Sequence, residues 1–193
     1  MNYVYSFMCF ILPSVVWQII NRDKLKKNLV KHIIWSYVFI IYCYLVVEVA
    51  ADMGTLWDLL HNRSIIGQVY LKPLIVNELR SHVLNIIMFV PLGFLLPCIW
   101  NEFRNVFEVL KIGFFLSLVI EVSQMFCYRV TDVNDLITNT TGAIVGYGIW
   151  EFMQGVFGTR KKRDNMITKE EAIVYIFGGT CGIFMLYSRR LFT

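Results

Sequence analysis

Six polar side chains interrupt an apolar stretch of the sequence between residues 120 and 139. They comprise three carboxylates, two amides and one guanidinium, at Glu121, Gln124, Arg129, Asp132, Asp135 and Asn139. Because hydrocarbon penalises such groups, polar residues in a stretch of this kind usually pair with one another or line a cavity that water can enter. Arg129 and Arg80 are the two basic residues that could meet the three acids, so some carboxylate oxygens must bind protons, water, a cation or a cationic ligand. We therefore expect a functional, water-accessible polar site; in the alternative, Glu121 pairs with Arg129 or Arg80 and the amides only hold helices together.

The composition is that of an integral membrane protein. Of the 193 residues, 57% are hydrophobic and 17% are charged, and the mean hydropathy is +0.58, far from the balance of a soluble domain. A transmembrane helix needs about 20 mostly apolar residues, and six stretches qualify: 2–20, 33–50, 81–100, 107–127, 136–155 and 172–188. The sequence therefore predicts an all-α polytopic membrane helical bundle of about six transmembrane helices, as a single membrane domain over residues 1–193. Five spans are the alternative, because Glu121 interrupts the fourth stretch and the charge-free core of the fifth is short.

Basic residues in the connections predict the orientation. In a six-span arrangement, twelve of the 18 Lys and Arg residues fall on one side, mainly in segments 21–31 and 159–163, and six fall on the other. The more basic side is expected to be cytoplasmic, which predicts a multi-pass protein of the cell membrane with both termini outside. Arg189 and Arg190 fit an outer carboxy terminus poorly, so five spans with these residues inside is the rival topology. The net charge of +4 reflects this anchoring and not a nucleic-acid partner.

The outer ends of the third and fourth predicted helices bring polar residues to one depth. A helix rises about 1.5 Å per residue, so Gln124 and Glu121 lie roughly 5 and 9 Å below the outer surface if the fourth helix leaves the membrane three residues after Gln124. By the same reckoning Asn85 lies about one turn inside the third helix. Arg80 and His82 are expected at its rim.

The fifth predicted helix enters from the same side. Asp132, Asp135 and Asn139 are spaced by three and then four residues, which places them on one helix face. Thr131 or Asp132 is suited to cap its amino terminus. Polar side chains from three helices are therefore expected at one level, near the outer face.

Proline and glycine residues predict how these helices pack. Pro91 removes a backbone donor from the third helix, so a kink is expected that opens the bundle beneath Asn85. Gly142 and Gly146 are four residues apart, a spacing that lets another helix backbone approach the fifth span closely. We interpret this pair as internal packing rather than dimerisation, and the sequence predicts no oligomeric state.

Three motifs, in their order and spacing, resemble the VanZ-like family over about residues 63–150. They are Asn-Ile-Ile-Met-Phe-Val-Pro-Leu-Gly-Phe-Leu-Leu-Pro from Asn85, Glu-Val-Ser-Gln from Glu121, and Asp-Val-Asn-Asp-Leu-Ile-Thr-Asn-Thr-Thr-Gly from Asp132. Tyr70 and Leu74 depart from the family's short Asn-Leu-x-Pro-Phe element, which weakens the match in the external loop. The motif positions carried over are Asn85, Pro91, Gly93, Glu121, Gln124, Asp132, Asp135, Asn139 and Gly142, with Arg129 where many members have a basic residue. The resemblance implies a membrane protein associated with resistance to the glycopeptide teicoplanin, and it implies no particular reaction.

The favoured function is an outward-facing polar pocket that binds a lipid-linked cell-wall precursor or a lipidated glycopeptide, with membrane lipids around it. Amides would hydrogen-bond sugar or amide groups of the ligand, carboxylates would orient them directly or through a divalent cation, and guanidinium groups would meet phosphate. The residues expected to bind ligand are Arg80, Asn85, Glu121, Gln124, Arg129, Asp132, Asp135 and Asn139; those expected to have structural roles are Pro91, Gly93, Gly142 and Gly146.

Other functions stay open. The first alternative is an intramembrane enzyme acting on an envelope lipid, with Glu121 or Asp135 as general base and any metal held by Glu121, Asp132 and Asp135. The sequence favours this less, because it pairs no serine or cysteine with a histidine base. A purely structural role for the polar residues, and a proton-coupled transporter using Glu121, are the others. No cofactor is predicted, although a divalent cation is compatible with the carboxylates.

Overall fold

Helices form nearly all of the ordered structure in the computed structural model, which describes residues 3–22, 29–50, 55–61, 69–70, 79–125, 131–157 and 169–187. The α-helices are α1 Tyr3–Ile20, α2 Leu29–Tyr44, α3 Leu56–His61, α4 Leu79–Ile99, α5 Val106–Gln124, α6 Val133–Phe157, α7 Lys169–Ile173 and α8 Gly179–Leu186. A π-helical segment, Leu45–Ala50, continues α2, and another, Val174–Gly178, joins α7 to α8. A 3₁₀ turn covers Asn101–Phe103, and β1 Val69–Tyr70 and β2 Thr131–Asp132 are two-residue strands.

The predicted all-α class is confirmed, and each of the six predicted spans overlaps a helix. Within the described ranges, α1 and α4 are long and apolar enough to cross a membrane. The chain divides into two compact units. The first comprises Met1–Tyr70, Val119–Thr131 and Glu170–Thr193, and the second comprises Leu71–Leu118 and Asp132–Lys169. The single membrane domain stays a prediction.

In the second unit, α4 and α6 approach each other backbone to backbone. A Cβ added at Gly142 would collide with the carbonyl oxygen of Ile86, and one added at Gly146 would collide with that of Val90. Gly142 lies against Ile86, and four residues later Gly146 lies against Val90. Because the residue numbers increase in the same direction on both helices, α4 and α6 run parallel. Small residues allow this approach because they remove the side chains that would otherwise separate the two backbones.

Gly93 makes the reciprocal approach from α4, since a Cβ there would collide with the carbonyl oxygen of Ala143. The partner of the small-residue pair on α6 is therefore a helix of the same chain. Although Pro91 and Pro97 remove two backbone donors, α4 is assigned as one helix from Leu79 to Ile99. The kink at Pro91 stays a prediction.

The part of α5 that belongs to the second unit runs antiparallel to α6. Ser117 hydrogen-bonds Asn139 near one end, whereas at the other end the Tyr147 hydroxyl donates to the carbonyl oxygen of Arg104 at 3.0 Å. The Arg104 guanidinium lies 5.8 Å from the ring centroid of Trp150, a cation–π contact. The second unit thus has polar residues at one end and aromatic residues with one arginine at the other.

In the first unit, α1 packs antiparallel to α8. The Tyr5 hydroxyl donates to the carbonyl oxygen of Leu186 at 2.8 Å, and a Cβ added at Gly182 would collide with the carbonyl oxygen of Cys9. Further along α1, Pro13 lies against Gly178, whose added Cβ would be 3.1 Å from the Pro13 Cβ.

The helix α2 is also antiparallel to α1. The Tyr44 hydroxyl donates to the carbonyl oxygen of Tyr3 at 2.9 Å, and near the opposite end of α1 the Tyr37 hydroxyl donates to Gln18 Oε1 at 3.1 Å. Because α8 is antiparallel to α1 as well, the last helix runs in the same direction as α2.

The α4–α6 approach leads to a first prediction. Replacing Gly146 by Ala places a methyl group against the Val90 carbonyl, and we expect the free energy of unfolding to fall by about 1–3 kcal/mol, as for overpacking of a core. Gly148 has nothing within 4 Å of an added Cβ, so Gly148→Ala is the matched control and should be neutral or stabilise by up to about 1 kcal/mol. The measurement is unfolding of the purified variants in detergent. Equal stability of the two variants would contradict the close approach.

Candidate functional site

Asn85 and Asp135 form the central contact of the polar end of the second unit. Asn85 Nδ2 donates to Asp135 Oδ1 at 2.6 Å, in a partly buried setting. Asp135 lies in the first turn of α6, where the amide groups at the helix amino terminus favour a negative charge. The contact joins α4 to α6, the predicted third and fifth helices.

Asp132 caps α6. Its Oδ1 accepts a hydrogen bond from the backbone N–H of Asn134 at 2.9 Å, and satisfying an amide that has no partner within the helix is the usual role of a cap. One turn further on, the Thr138 hydroxyl donates to the carbonyl oxygen of Asn134 at 2.8 Å. The start of α6 is thereby fixed, and with it the positions of Asp135 and Asn139.

Asn139 is buried, with 2% of its surface exposed. Its Nδ2 donates to Ser117 Oγ of α5 at 2.9 Å. Its Oδ1 is buried and has no hydrogen-bond partner within the described ranges. Leaving a buried acceptor unpaired costs about 1–3 kcal/mol.

Sequence reasoning did not select Ser117. A lone serine in an apolar helix has many explanations, and only the contact with Asn139 distinguishes this one. Arg80 and His82 were both expected at the rim of the third helix. Arg80 is exposed, but the His82 side chain is 8% exposed, and neither of its ring nitrogens has a hydrogen-bond partner in the part of the chain that the structure describes.

The remaining predicted ligand-binding residues, Glu121, Gln124 and Arg129, are not part of the second unit. Glu121 and Gln124 are buried on α5, with 4% and 8% of their surfaces exposed, and they belong to the first unit. Arg129 lies outside the described residues. Among the described residues, no group of three His, Cys, Asp or Glu side chains is arranged to hold a metal ion. The divalent cation stays a prediction.

A second buried polar cluster occurs in the first unit, and the sequence did not predict it. We call it the Glu171 network; its members are Gln18, His32, Tyr37, Glu171 and Tyr175. Two hydrogen-bonded pairs at this place have residues four positions apart: Glu171 with Tyr175, and His32 with the adjacent Ser36. That spacing is a weak signal, because many such pairs on helices face solvent.

Apolar helices with polar groups gathered at one end define the class of this protein. On α4 the large apolar side chains Val83, Leu84 and Ile87 are exposed, as expected for helix faces that contact lipid. The fold and the site are therefore those of an all-helical membrane protein.

The chain belongs to the VanZ/LLP1 family, whose sequence model matches residues 3–154. This match confirms the resemblance and extends it beyond the region of the three motifs. Protein VanZ of Enterococcus faecium is 30% identical over 103 residues, which cover 52% of this chain and 58% of that protein. The chain thus spans less than two thirds of the length of this relative. No solved structure matches the chain significantly.

The Asn85–Asp135 contact can be measured with a double-mutant cycle. With Asn85→Leu, Asp135→Leu and the double variant, we expect a coupling free energy of about 0.6–2 kcal/mol, the range for hydrogen bonds between helices in a membrane. Thr141 is exposed and its hydroxyl donates to the Ile137 carbonyl of its own helix, so Asn85→Leu with Thr141→Ala is the control cycle and should show no coupling beyond about 0.5 kcal/mol. Both cycles are measured by unfolding in detergent. Equal coupling in the two would show that the contact does not hold α4 to α6.

Proposed function

We propose that this VanZ/LLP1-family protein binds an amphipathic molecule of the cell envelope, a lipid-linked cell-wall precursor or a lipidated glycopeptide, and thereby contributes to resistance to teicoplanin. The observation that carries the proposal is the Asn139 Oδ1 atom, buried and without a partner in the described part of the chain. It lies on α6 one turn beyond Asp135, the residue that Asn85 contacts. A buried acceptor beside an amide–carboxylate pair is suited to the hydroxyl and amide groups of a sugar–peptide headgroup.

Each side chain has a distinct role in this proposal. Asn85 and Asn139 hydrogen-bond the headgroup, and Asp132 and Asp135 orient its donor groups. Ser117 keeps the Asn139 amide in place.

Along α5, Glu121 and Gln124 follow Ser117 at intervals of four and three residues. They continue one helix face and extend the set of acceptors. Arg80, which is exposed, and Arg129 meet phosphate, for which the planar guanidinium is well suited. The apolar tail of the ligand lies along the outer faces of the helices.

The proposed topology has six spans with both termini outside. In a chain that crosses the membrane six times the last helix runs opposite to the first, whereas in a five-span chain the two run in the same direction. The antiparallel contacts of α1 with α8 favour six spans.

Ligand binding is tested by thermal shift. Detergent-purified wild type should be stabilised by teicoplanin or by lipid-linked cell-wall precursor, and Glu121→Gln should lose at least half of that shift because the substitution removes a charged acceptor. Glu151 is exposed on α6, so Glu151→Gln is the matched control and should behave as wild type. If neither ligand shifts the wild type, or if Glu121→Gln shifts as the wild type does, the proposed binding is wrong.

The topology is tested with reporter fusions. Alkaline phosphatase, which folds only outside the cytoplasm, should be active when fused after Thr193 and inactive when fused within the basic segment 159–163. The same pair of fusions made with a fluorescent protein that matures only in the cytoplasm should give the opposite pattern. An active cytoplasmic reporter after Thr193 would establish the five-span arrangement instead.

A further inference from the structure

The Glu171 network links three segments of the first unit through buried hydrogen bonds. His32 Nε2 lies 2.8 Å from Glu171 Oε2. On its other oxygen, Glu171 Oε1 accepts a hydrogen bond from the Tyr175 hydroxyl at 2.6 Å. Gln18 Nε2 donates to the Tyr175 hydroxyl oxygen at 2.8 Å, and the Tyr37 hydroxyl donates to Gln18 Oε1 at 3.1 Å. The network thus connects α1, α2 and the carboxy-terminal segment.

The hydrogen bonds from Tyr37 through Gln18 and Tyr175 all run towards Glu171. Because the Gln18 amide uses its N–H on Tyr175 and its carbonyl on Tyr37, the Tyr175 hydroxyl proton is directed to the carboxylate. Glu171 is 0% exposed and His32 is 7% exposed. The carboxylate is therefore the common acceptor of a network that is largely shielded from solvent.

The proton in the hydrogen bond between His32 and Glu171 can be bonded to either residue. Between His32 Nε2 and Glu171 Oε2, at 2.8 Å, a proton can be bonded to the imidazole nitrogen or to the carboxyl oxygen, and either arrangement makes a hydrogen bond. Imidazole is the side chain whose charge changes within the physiological pH range. An added proton comes from water and returns to water, so the step forms one N–H or O–H bond and changes no other covalent bond of the protein.

The charged and titratable groups around this position are few among the described residues. From the carboxy-terminal segment, Tyr175 faces Glu171, while Lys169 and Glu170 beside it are exposed. From α2 the neighbours of His32 are the Ser36 hydroxyl, at 3.1 Å, and Tyr37 one residue further on. From α1 the contact is the neutral Gln18 amide, with the Trp17 ring packed against Tyr175 at 6.1 Å between centroids.

The backbone at this place is also unusual. Tyr175 lies in the π-helical segment Val174–Gly178, directly after α7. Single π-helical turns are rare and occur frequently at functional sites. A buried carboxylate, an imidazole and a π-helical turn therefore coincide where the carboxy-terminal segment joins α1 and α2.

We propose that the His32–Glu171 pair is a reversible proton-binding site at the place where the carboxy-terminal segment joins α1 and α2. This site uses no residue of the proposed ligand-binding site. Its ligand is the proton alone, and its hydrogen-bonding partners Tyr175, Gln18 and Tyr37 set the pH at which the proton binds.

The test is infrared difference spectroscopy of the full-length protein in detergent, titrated between about pH 5 and pH 8. We expect the wild type to show a pH-dependent change in a carboxyl C=O stretch or in the carboxylate stretches, according to which atom binds the proton, and this change should be absent in Glu171→Gln. Tyr175→Phe removes a donor to the charged carboxylate and should move the midpoint upward by about one pH unit, because a hydrogen bond to the charged form favours that form. Glu170 is the exposed neighbour of Glu171 on the same helix, so Glu170→Gln is the matched control and should leave the signal unchanged.

Histidine NMR provides the second readout. The signals of His32, assigned by their loss in His32→Gln, should titrate with the same midpoint as the carboxyl band in the wild type and in Tyr175→Phe. If Glu171→Gln does not fold, the shift of the midpoint in Tyr175→Phe tests the proposal by itself, since that variant retains both His32 and Glu171. A carboxyl band that persists in Glu171→Gln, or a midpoint that Tyr175→Phe leaves unchanged, would overturn the proposal and leave a fixed structural contact. Neither outcome depends on whether the protein binds an envelope molecule.

Discussion

The direct approach of the α4 and α6 backbones is the constraint on which the second unit depends. Gly142 and Gly146 admit carbonyl groups of α4 where any side chain would collide, and Gly93 does the same from the other helix. Polar contacts such as that between Asn85 and Asp135 require this closeness, since a short amide side chain reaches a carboxylate only when the two helices nearly touch. In a membrane, where apolar side chains gain little by leaving lipid, such packing replaces the hydrophobic effect as the force between helices.

The sequence predicted the helices well because length and hydropathy determine them. Each predicted span overlaps a helix, and the helix directions within each unit are those expected if successive spans alternate in direction. Asp132 was one of two residues proposed as the cap of α6, and it has that role. These features depend on residues that are close together in the chain, so one sequence is enough to predict them.

Tertiary partners could not be predicted in the same way. Nothing in the sequence pairs Ser117 with Asn139, or His32 with Glu171, which are 139 positions apart. His82 lies in the first turn of α4, but the sequence did not predict that its side chain is buried, because burial depends on which elements fold over a residue. The Glu171 network was missed for a related reason: its members lie singly in five places, and each alone is compatible with a helix end near the membrane surface.

Along the helices of the second unit, polar residues lie at one end and aromatic residues lie at the other. Asp135 begins the polar end of α6, and Trp150, beneath the Arg104 guanidinium, marks the aromatic end. Fifteen residues separate them, a rise of roughly 22 Å, whereas the hydrocarbon core of a typical bilayer is about 30 Å thick. If Trp150 lies at one membrane interface, where tryptophan is enriched, the polar end of α6 lies below the opposite surface unless the bilayer thins locally. Such a hydrophobic mismatch carries a modest cost for each ångström.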